Sequence, residues 1–163
     1  MKRAFVGSGE YNNKEFVLSI LESIIDKEND VIVSGHSPRN PVYVDGVIIG
    51  YNNVDHWSEI WGNDKCINKP IIFPPKEHID IYYKKRNKQI ADTSYEIRAF
   101  IPTLRYISGT WNTIKHFVKR VIDSKDRVFI YNEYGILWKF EEYPLWLQNR
   151  MLKINRLNIN RLF

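Results

Sequence analysis

Cysteine is nearly absent from this chain: Cys66 stands alone among 163 residues. No intrachain disulfide and no thiolate metal cluster can form, and no metal site is expected. A reducing compartment suits such a chain, so a cytoplasmic protein is expected. Long apolar runs are missing as well. No stretch approaches the roughly 20 apolar residues of a membrane-spanning helix, so no membrane partner is expected. The opening MKRAFVGSGEYNN carries two basic residues but no apolar run of signal-peptide length. Internal repeats and low-complexity linkers are lacking too. The length suits one domain over 1–163, with a core over 1–126 and a C-terminal hairpin and helix extension over 127–163.

What is present is apolar and aromatic: 44% hydrophobic residues, five Trp and ten Tyr. That content buries a normal core and leaves many rings half-buried with a polar tip toward water. The formal charge of +5 favours anionic partners such as nucleotides, phosphates or nucleic acid. Part of the excess lies in the tail, at Arg150, Lys153, Arg156 and Arg161, a block that reads first as a solvated basic face. No specific nucleic-acid motif accompanies it.

Apolar segments follow one another along the whole chain. Ala4–Val6 reads as a strand stopped by Gly7-Ser8-Gly9, and Lys14–Asp26 as an amphipathic helix with Phe16, Val17, Ile20, Leu21, Ile24 and Ile25 at helical spacing. Asp30–Val33 reads as a second strand, and the unalternated apolar runs of these first two suit a parallel sheet covered on both faces; Lys69–Phe73 and Glu96–Ile101 read as further strands. Helices are expected over Asp55–Asn63, with Trp57, Ile60 and Trp61 on one side, over Ile81–Asp92, and from Ser108 to about Asp123. Asn40–Tyr51 reads either as a hairpin around Asp45-Gly46 or as a loop folded over the site. Arg127–Tyr131 and Ile136–Phe140 bracket Asn132-Glu133-Tyr134-Gly135, a hairpin signal. A final helix follows Pro144, with Leu145, Leu147, Met151, Leu152 and Ile154 as packing residues. The class is α/β: a Rossmann-like, mostly parallel sheet with helices on both faces, plus a C-terminal β-hairpin and helix.

Three strand ends carry chemistry. Gly7-Ser8-Gly9 lets the backbone turn sharply before a helix whose first N–H groups are free for an anion, though any tight strand-to-helix turn wants glycine. Ser34-Gly35-His36, followed by Arg39, can bind an anion or position a reacting group; a lone His on a loop more often only makes a hydrogen bond. Ser108-Gly109-Thr110 gathers hydroxyls and amides at a helix start, where Thr110 also suits an N-cap. Arg86-Asn87 adds a guanidinium able to grip a phosphate with two parallel hydrogen bonds, whereas Lys84, Lys85 and Lys88 read as solvated. Asp55 and Glu59, four apart, share one face of a helix and form a candidate catalytic pair, as nucleophile and general acid. A solvated surface pair is the plainer reading.

Taken in order, these pieces resemble the SLOG superfamily of DprA-like, LOG-like and YpsA-like Rossmann proteins. The resemblance rests on Gly7-Ser8-Gly9, Val33-Ser34-Gly35-His36, Val54-Asp55-His56-Trp57, Ile72-Phe73-Pro74-Pro75, Arg86-Asn87-Lys88-Gln89-Ile90-Ala91-Asp92 and Ser108-Gly109-Thr110-Trp111-Asn112-Thr113. It runs from about residue 3 to residue 122. It implies a nucleotide or nucleotide-derived ligand at the strand ends, with phosphate or ribose contacts from Gly7, Ser8, Gly35, Arg86, Asn87, Ser108, Gly109 and Thr110. Thr113 stands where the cytokinin-activating LOG branch carries its catalytic glutamate, and Asn53 where a glycine is usual. The leading expectation is therefore a protein that senses, sequesters or carries such a ligand and requires no cofactor. An N-glycosidic hydrolase or transferase is the alternative. A third is an interaction protein, its pocket plugged by Tyr43, Tyr51 or Trp111 and an apolar patch exposed around Trp138, Trp146 and Leu147. Homo-oligomerisation is compatible with each.

Overall fold

The computed structural model describes residues 1–77, 80–103, 108–121 and 123–159, the stretch 153–159 through its backbone alone. Five strands form one sheet: β1 (Lys2–Gly7), β2 (Val31–Ser34), β5 (Ile71–Ile72), β6 (Glu96–Phe100) and β7 (Val128–Tyr131). Their order across the sheet is β5-β2-β1-β6-β7, and every pairing is parallel. Parallel neighbours require crossovers, and four of the five helices make them: α1 (Lys14–Ile24), α2 (Val54–Lys65), α3 (Asp80–Thr93) and α4 (Gly109–Arg120). The fifth, α5 (Leu145–Ile159), follows β7.

Side chains alternate across the strands and build a core on each face. Ala4, Val6, Val33, Ile97, Ala99, Val128 and Ile130 point to one face, packed by Ile90 and Ala91 of α3, Ile114 and Phe117 of α4, and Leu147 and Met151 of α5. Phe5, Ile32, Phe100 and Tyr131 point to the other, against Val17 and Leu21 of α1 and Val54, Trp57 and Trp61 of α2. Both faces of the sheet are thus covered, as the unbroken apolar runs require. At the amino-terminal ends of the strands, Arg3 ties β1 to its neighbours through Asp30 and Glu96, each at 2.9 Å.

Several boundaries shift for identifiable reasons. The first helix stops at Ile24 because Asp26 folds its carboxylate onto the amides of Glu28 and Asn29 and starts a turn. The third sheet strand shrinks from the expected Lys69–Phe73 to Ile71–Ile72, between Pro70 and Pro74, neither of which has an N–H for a ladder. Ile60 does not join Trp57 and Trp61 in the core but stays 55% exposed. The C-terminal hairpin is half realised. Val128–Tyr131 becomes the edge strand of the parallel sheet, and Ile136–Phe140 forms only one antiparallel bridge, Tyr131 to Leu137. In α5, Leu147 and Met151 are buried whereas Leu145 and Leu152 are exposed. The expected packing of Ile154 concerns a side chain outside those described, as do the tail's Lys153 and Arg156, and Arg161 lies outside the described residues. Trp138 and Trp146 are not an exposed patch, for both rest against the core beside buried Leu147.

Asn40–Tyr51 resolves as a hairpin. Strands β3 (Pro41–Val44) and β4 (Val47–Tyr51) pair antiparallel in a separate two-stranded sheet. Asp45 and Gly46 close it at φ of 48° and 77°, the left-handed pair that a two-residue hairpin loop demands.

At Gly7 the end of β1 presses on α2, where an added Cβ would stand 2.3 Å from Val54 Cγ2. Gly7→Ala should therefore lower stability by about 2–3 kcal/mol, measured by urea unfolding, and Val54→Ala in the same chain should recover part of the loss. A Gly7→Ala effect within experimental error would show that this close approach is wrong.

Candidate functional site

The carboxyl ends of β1, β2 and β6 open on one rim of the sheet, and a cavity of about 430 Å³ lies there. In open sheets of this kind the crevice forms where successive connections leave in opposite directions, here between β1 and β6. The wall includes Gly7, Ser8, Gly9 and Glu10 after β1, Ser37 and Arg39 after β2, and Pro102 and Thr103 after β6. Asn53 and Asp55 come from the start of α2, Asp80, Tyr83, Lys84, Arg86 and Asn87 from α3, and Ser108, Gly109, Thr110 and Thr113 from α4.

Arg86 organises this wall. Its side chain is only 11% exposed. Nη1 donates to the Gly35 carbonyl at 3.1 Å, while Nε and Nη2 donate to Asn87 Oδ1 at 3.1 and 2.9 Å. Asn87 Nδ2 in turn donates to the Gly109 carbonyl at 3.1 Å. One guanidinium thus links the loop after β2, helix α3 and the start of α4. Gly35 serves this tie, since a Cβ there would sit 2.9 Å from the guanidinium carbon.

Asp55 faces the same guanidinium at 3.8 Å and accepts the Ser37 amide at 3.1 Å. Burial pushes its carboxyl up to about 6, with the Arg86 charge pulling in the opposite direction. Asp55 therefore sits in the cavity as a group able to give or take a proton near neutral pH.

Glu59, one turn further along α2, does not line the cavity. It accepts Ser34 Oγ at 2.6 Å and contacts His36 Nδ1 at 2.7 Å. His36 adopts a left-handed φ of 48° and lies edge-on to Tyr51 and His56. The candidate carboxylate pair is thus split: Asp55 is placed in the cavity and Glu59 in a buried network behind it. Ser34 and His36 belong to that second layer, while Gly35 holds Arg86 through its carbonyl and does not itself line the cavity.

At α4 the cap is Ser108, whose Oγ accepts the Trp111 amide at 3.4 Å; Thr110, expected as an alternative N-cap, lies one step inside the helix. Gly109 and Thr110 occupy the first turn, where amides have no intrahelical acceptor. Arg39 lies across Gly9, with Cδ 3.0 Å from where a Cβ would be. Of the sequence candidates, Gly7, Ser8, Gly9, Arg39, Asp55, Arg86, Asn87, Ser108, Gly109 and Thr110 share this one cavity.

Sequence reasoning missed others. Lys84 lines the cavity rather than standing apart from it, and Asp80 and Tyr83 join it. Spacing was the available signal, because 80, 83, 84 and 87 fall on one helical face. Asn53 was passed over too. It caps α2 by accepting the His56 amide at 3.1 Å, and it donates to the carbonyls of Ser37 and Arg39 at 2.9 and 2.7 Å. The hairpin does not roof the cavity, which only its flanks Arg39 and Asn53 reach. Nor do Tyr43, Tyr51 or Trp111 plug it: Tyr43 is exposed, Tyr51 lies against the histidines, and Trp111 is buried against Trp146.

No family model matches the chain, and neither a curated protein nor a solved structure matches it.

The folded-state value of Asp55 lies above its ordinary 3.8, so the folded chain holds a proton that the unfolded chain releases. Stability from this group is present in full below about pH 4 and is lost as pH rises through about 6. Asp55→Asn, whose amide oxygen can still accept the Ser37 N–H, should gain on the wild type by about 2 kcal/mol between pH 4 and pH 7. A stability difference between the two proteins that stays flat over that range would refute the assignment.

Proposed function

We propose that this protein has a Rossmann-like fold of SLOG type and binds a nucleotide or nucleotide derivative, which it senses, sequesters or carries. The observation that carries the reading is the meeting of the β1 turn and the α4 start, with Arg39 and Arg86, around a single open cavity. Helix starts and glycine turns present amides, and amides together with guanidinium groups suit phosphate oxygens. The cavity volume of about 430 Å³ falls in the usual range for small-molecule sites. Asp55 in the same wall suits the hydroxyls of a sugar. Thr113 faces this space in place of a carboxylate, which favours holding a ligand over cleaving it.

One observation favours the alternative, an N-glycosidic hydrolase or transferase. Asp55 is buried in the cavity with its carboxyl near 6, as a proton donor or nucleophile at a glycosidic bond would need. Glu59 has no part in such a step, being committed to Ser34 and His36.

A panel of nucleotides and nucleotide sugars at millimolar concentration, followed by thermal unfolding, separates these readings. A ligand at about a hundred times its Kd adds about 2.7 kcal/mol and raises Tm by about 5–10 °C. Thr110→Val and Arg39→Ala should each weaken binding about tenfold. If no member of the panel shifts Tm, the binding reading is lost. Release of free base that disappears in Asp55→Asn would promote the enzyme instead.

A further inference from the structure

Past the short strand β5 the chain leaves the sheet edge abruptly. The Phe73 amide still donates to the Ser34 carbonyl at 3.0 Å, but Pro74 and Pro75 have no N–H to continue a ladder, and their rings stiffen the backbone. Helix α3 then returns alongside. Its residues 80, 83, 84 and 87 face the cavity described above. Tyr82, Lys85, Arg86 and Gln89, spaced by three and four, form a separate stripe on the same helix. Between that stripe and Ile72–Lys76 lies a second cavity of about 240 Å³. Arg86 is the one residue that lines both.

We propose that this second cavity binds a small aromatic anion, a single planar ring carrying a carboxylate or phosphate. The volume lies below the range of about 300–1,000 Å³ usual for larger ligands, so one ring fills it. Phe73 rests on the core with part of its ring uncovered, and Pro75 and Tyr82 are half-buried. These flat, stiff surfaces suit the faces and edges of a ring. Charge sets the second requirement. The wall holds Lys76, Lys85 and Arg86 and no carboxylate, whereas the first cavity holds Glu10, Asp55 and Asp80 beside its cations. Arg86 already donates to Gly35 and Asn87, which leaves the exposed ammonium groups of Lys76 and Lys85 to meet the anion. An exposed ammonium holds an anion only weakly, so ring burial has to supply much of the affinity. The Gln89 amide, both donor and acceptor, can meet a polar ring substituent.

Titration of the isotope-labelled full chain with benzoate and with phenyl phosphate, up to about 10 mM, should move the backbone amide resonances of Phe73, Lys76, Lys85 and Gln89. Those of Gly9, Ser37 and Thr110, in the first cavity, should stay in place. Benzyl alcohol keeps the ring without the charge, and inorganic phosphate keeps the charge without the ring; each should bind at least about tenfold more weakly. Lys85→Ala and Tyr82→Ala should each weaken benzoate about tenfold. Lys88→Ala, which removes a lysine paired with Asp92 and outside both walls, should leave benzoate binding unchanged. If no resonance moves at the highest concentration, the proposal is overturned. Equal binding of benzyl alcohol also overturns it, as do shifts confined to the first cavity and abolished by Lys84→Ala instead of Lys85→Ala. Failure of every nucleotide in the panel would leave this result standing, because the two walls share Arg86 alone.

Discussion

Arg86 makes a cavity out of loops that would otherwise be independent. Its guanidinium is planar and always charged, and its donors are spoken for on two sides, by the Gly35 carbonyl and by Asn87. Because Asn87 passes the connection on to Gly109, the loop after β2 and the first turn of α4 are held at fixed separation through one side chain. The charge has its counterpart in Asp55, whose own carboxyl sits near 6. Such an arrangement gains little net stability, since taking charges from water offsets most of their attraction. What it secures is position, in a region where backbone amides and hydroxyls need to face a common space.

The parallel sheet makes that convergence unavoidable. Strands that all run the same way deliver their carboxyl ends to one rim, and the crossovers return the chain from there. The opposite rim carries Arg3 with Asp30 and Glu96, which bind β1 to its neighbours. One end of the sheet is closed by ion pairs and the other is left open by glycine turns. The β3–β4 hairpin is inserted at the open end, yet it stands away from the cavity and touches it only through its flanks. Asn40 and Asn53 fasten those flanks, to Gly9 and to Ser37 and Arg39 respectively.

Much of this was legible in residue order. Ala4–Val6 is a wholly apolar run and Ala99–Ile101 ends another, and their length and flanking turns indicate strands. For Asn40–Tyr51 the sequence offered a hairpin around Asp45-Gly46 or a loop over the site, and the two consecutive left-handed residues realise the hairpin. Lys84 was misjudged for a plain reason. A lysine beside other basic residues looks solvated, and only the packing of α3 against α4 shows that its side of the helix faces a hollow. Glu59 was misjudged similarly, since helical spacing places it one turn from Asp55 but cannot say that Ser34 and His36 will claim it first. The return limb at Ile136–Phe140 meets the free edge of β7 only briefly, through the Tyr131–Leu137 bridge, before the chain turns at Phe140–Glu142.

By itself the sequence determined the elements, the α/β class and the glycine-bearing turns that end the strands. These follow from short-range physics: side-chain periodicity, the missing N–H of proline and the conformational freedom of glycine. Only the tertiary structure decided which turns share a wall, which carboxylate faces the cavity and which lies behind it, and which apolar residues remain uncovered. Those outcomes depend on contacts between residues far apart along the chain, Arg86 with Gly35 and Glu59 with His36 among them, and no local pattern encodes which of several available partners a side chain will reach.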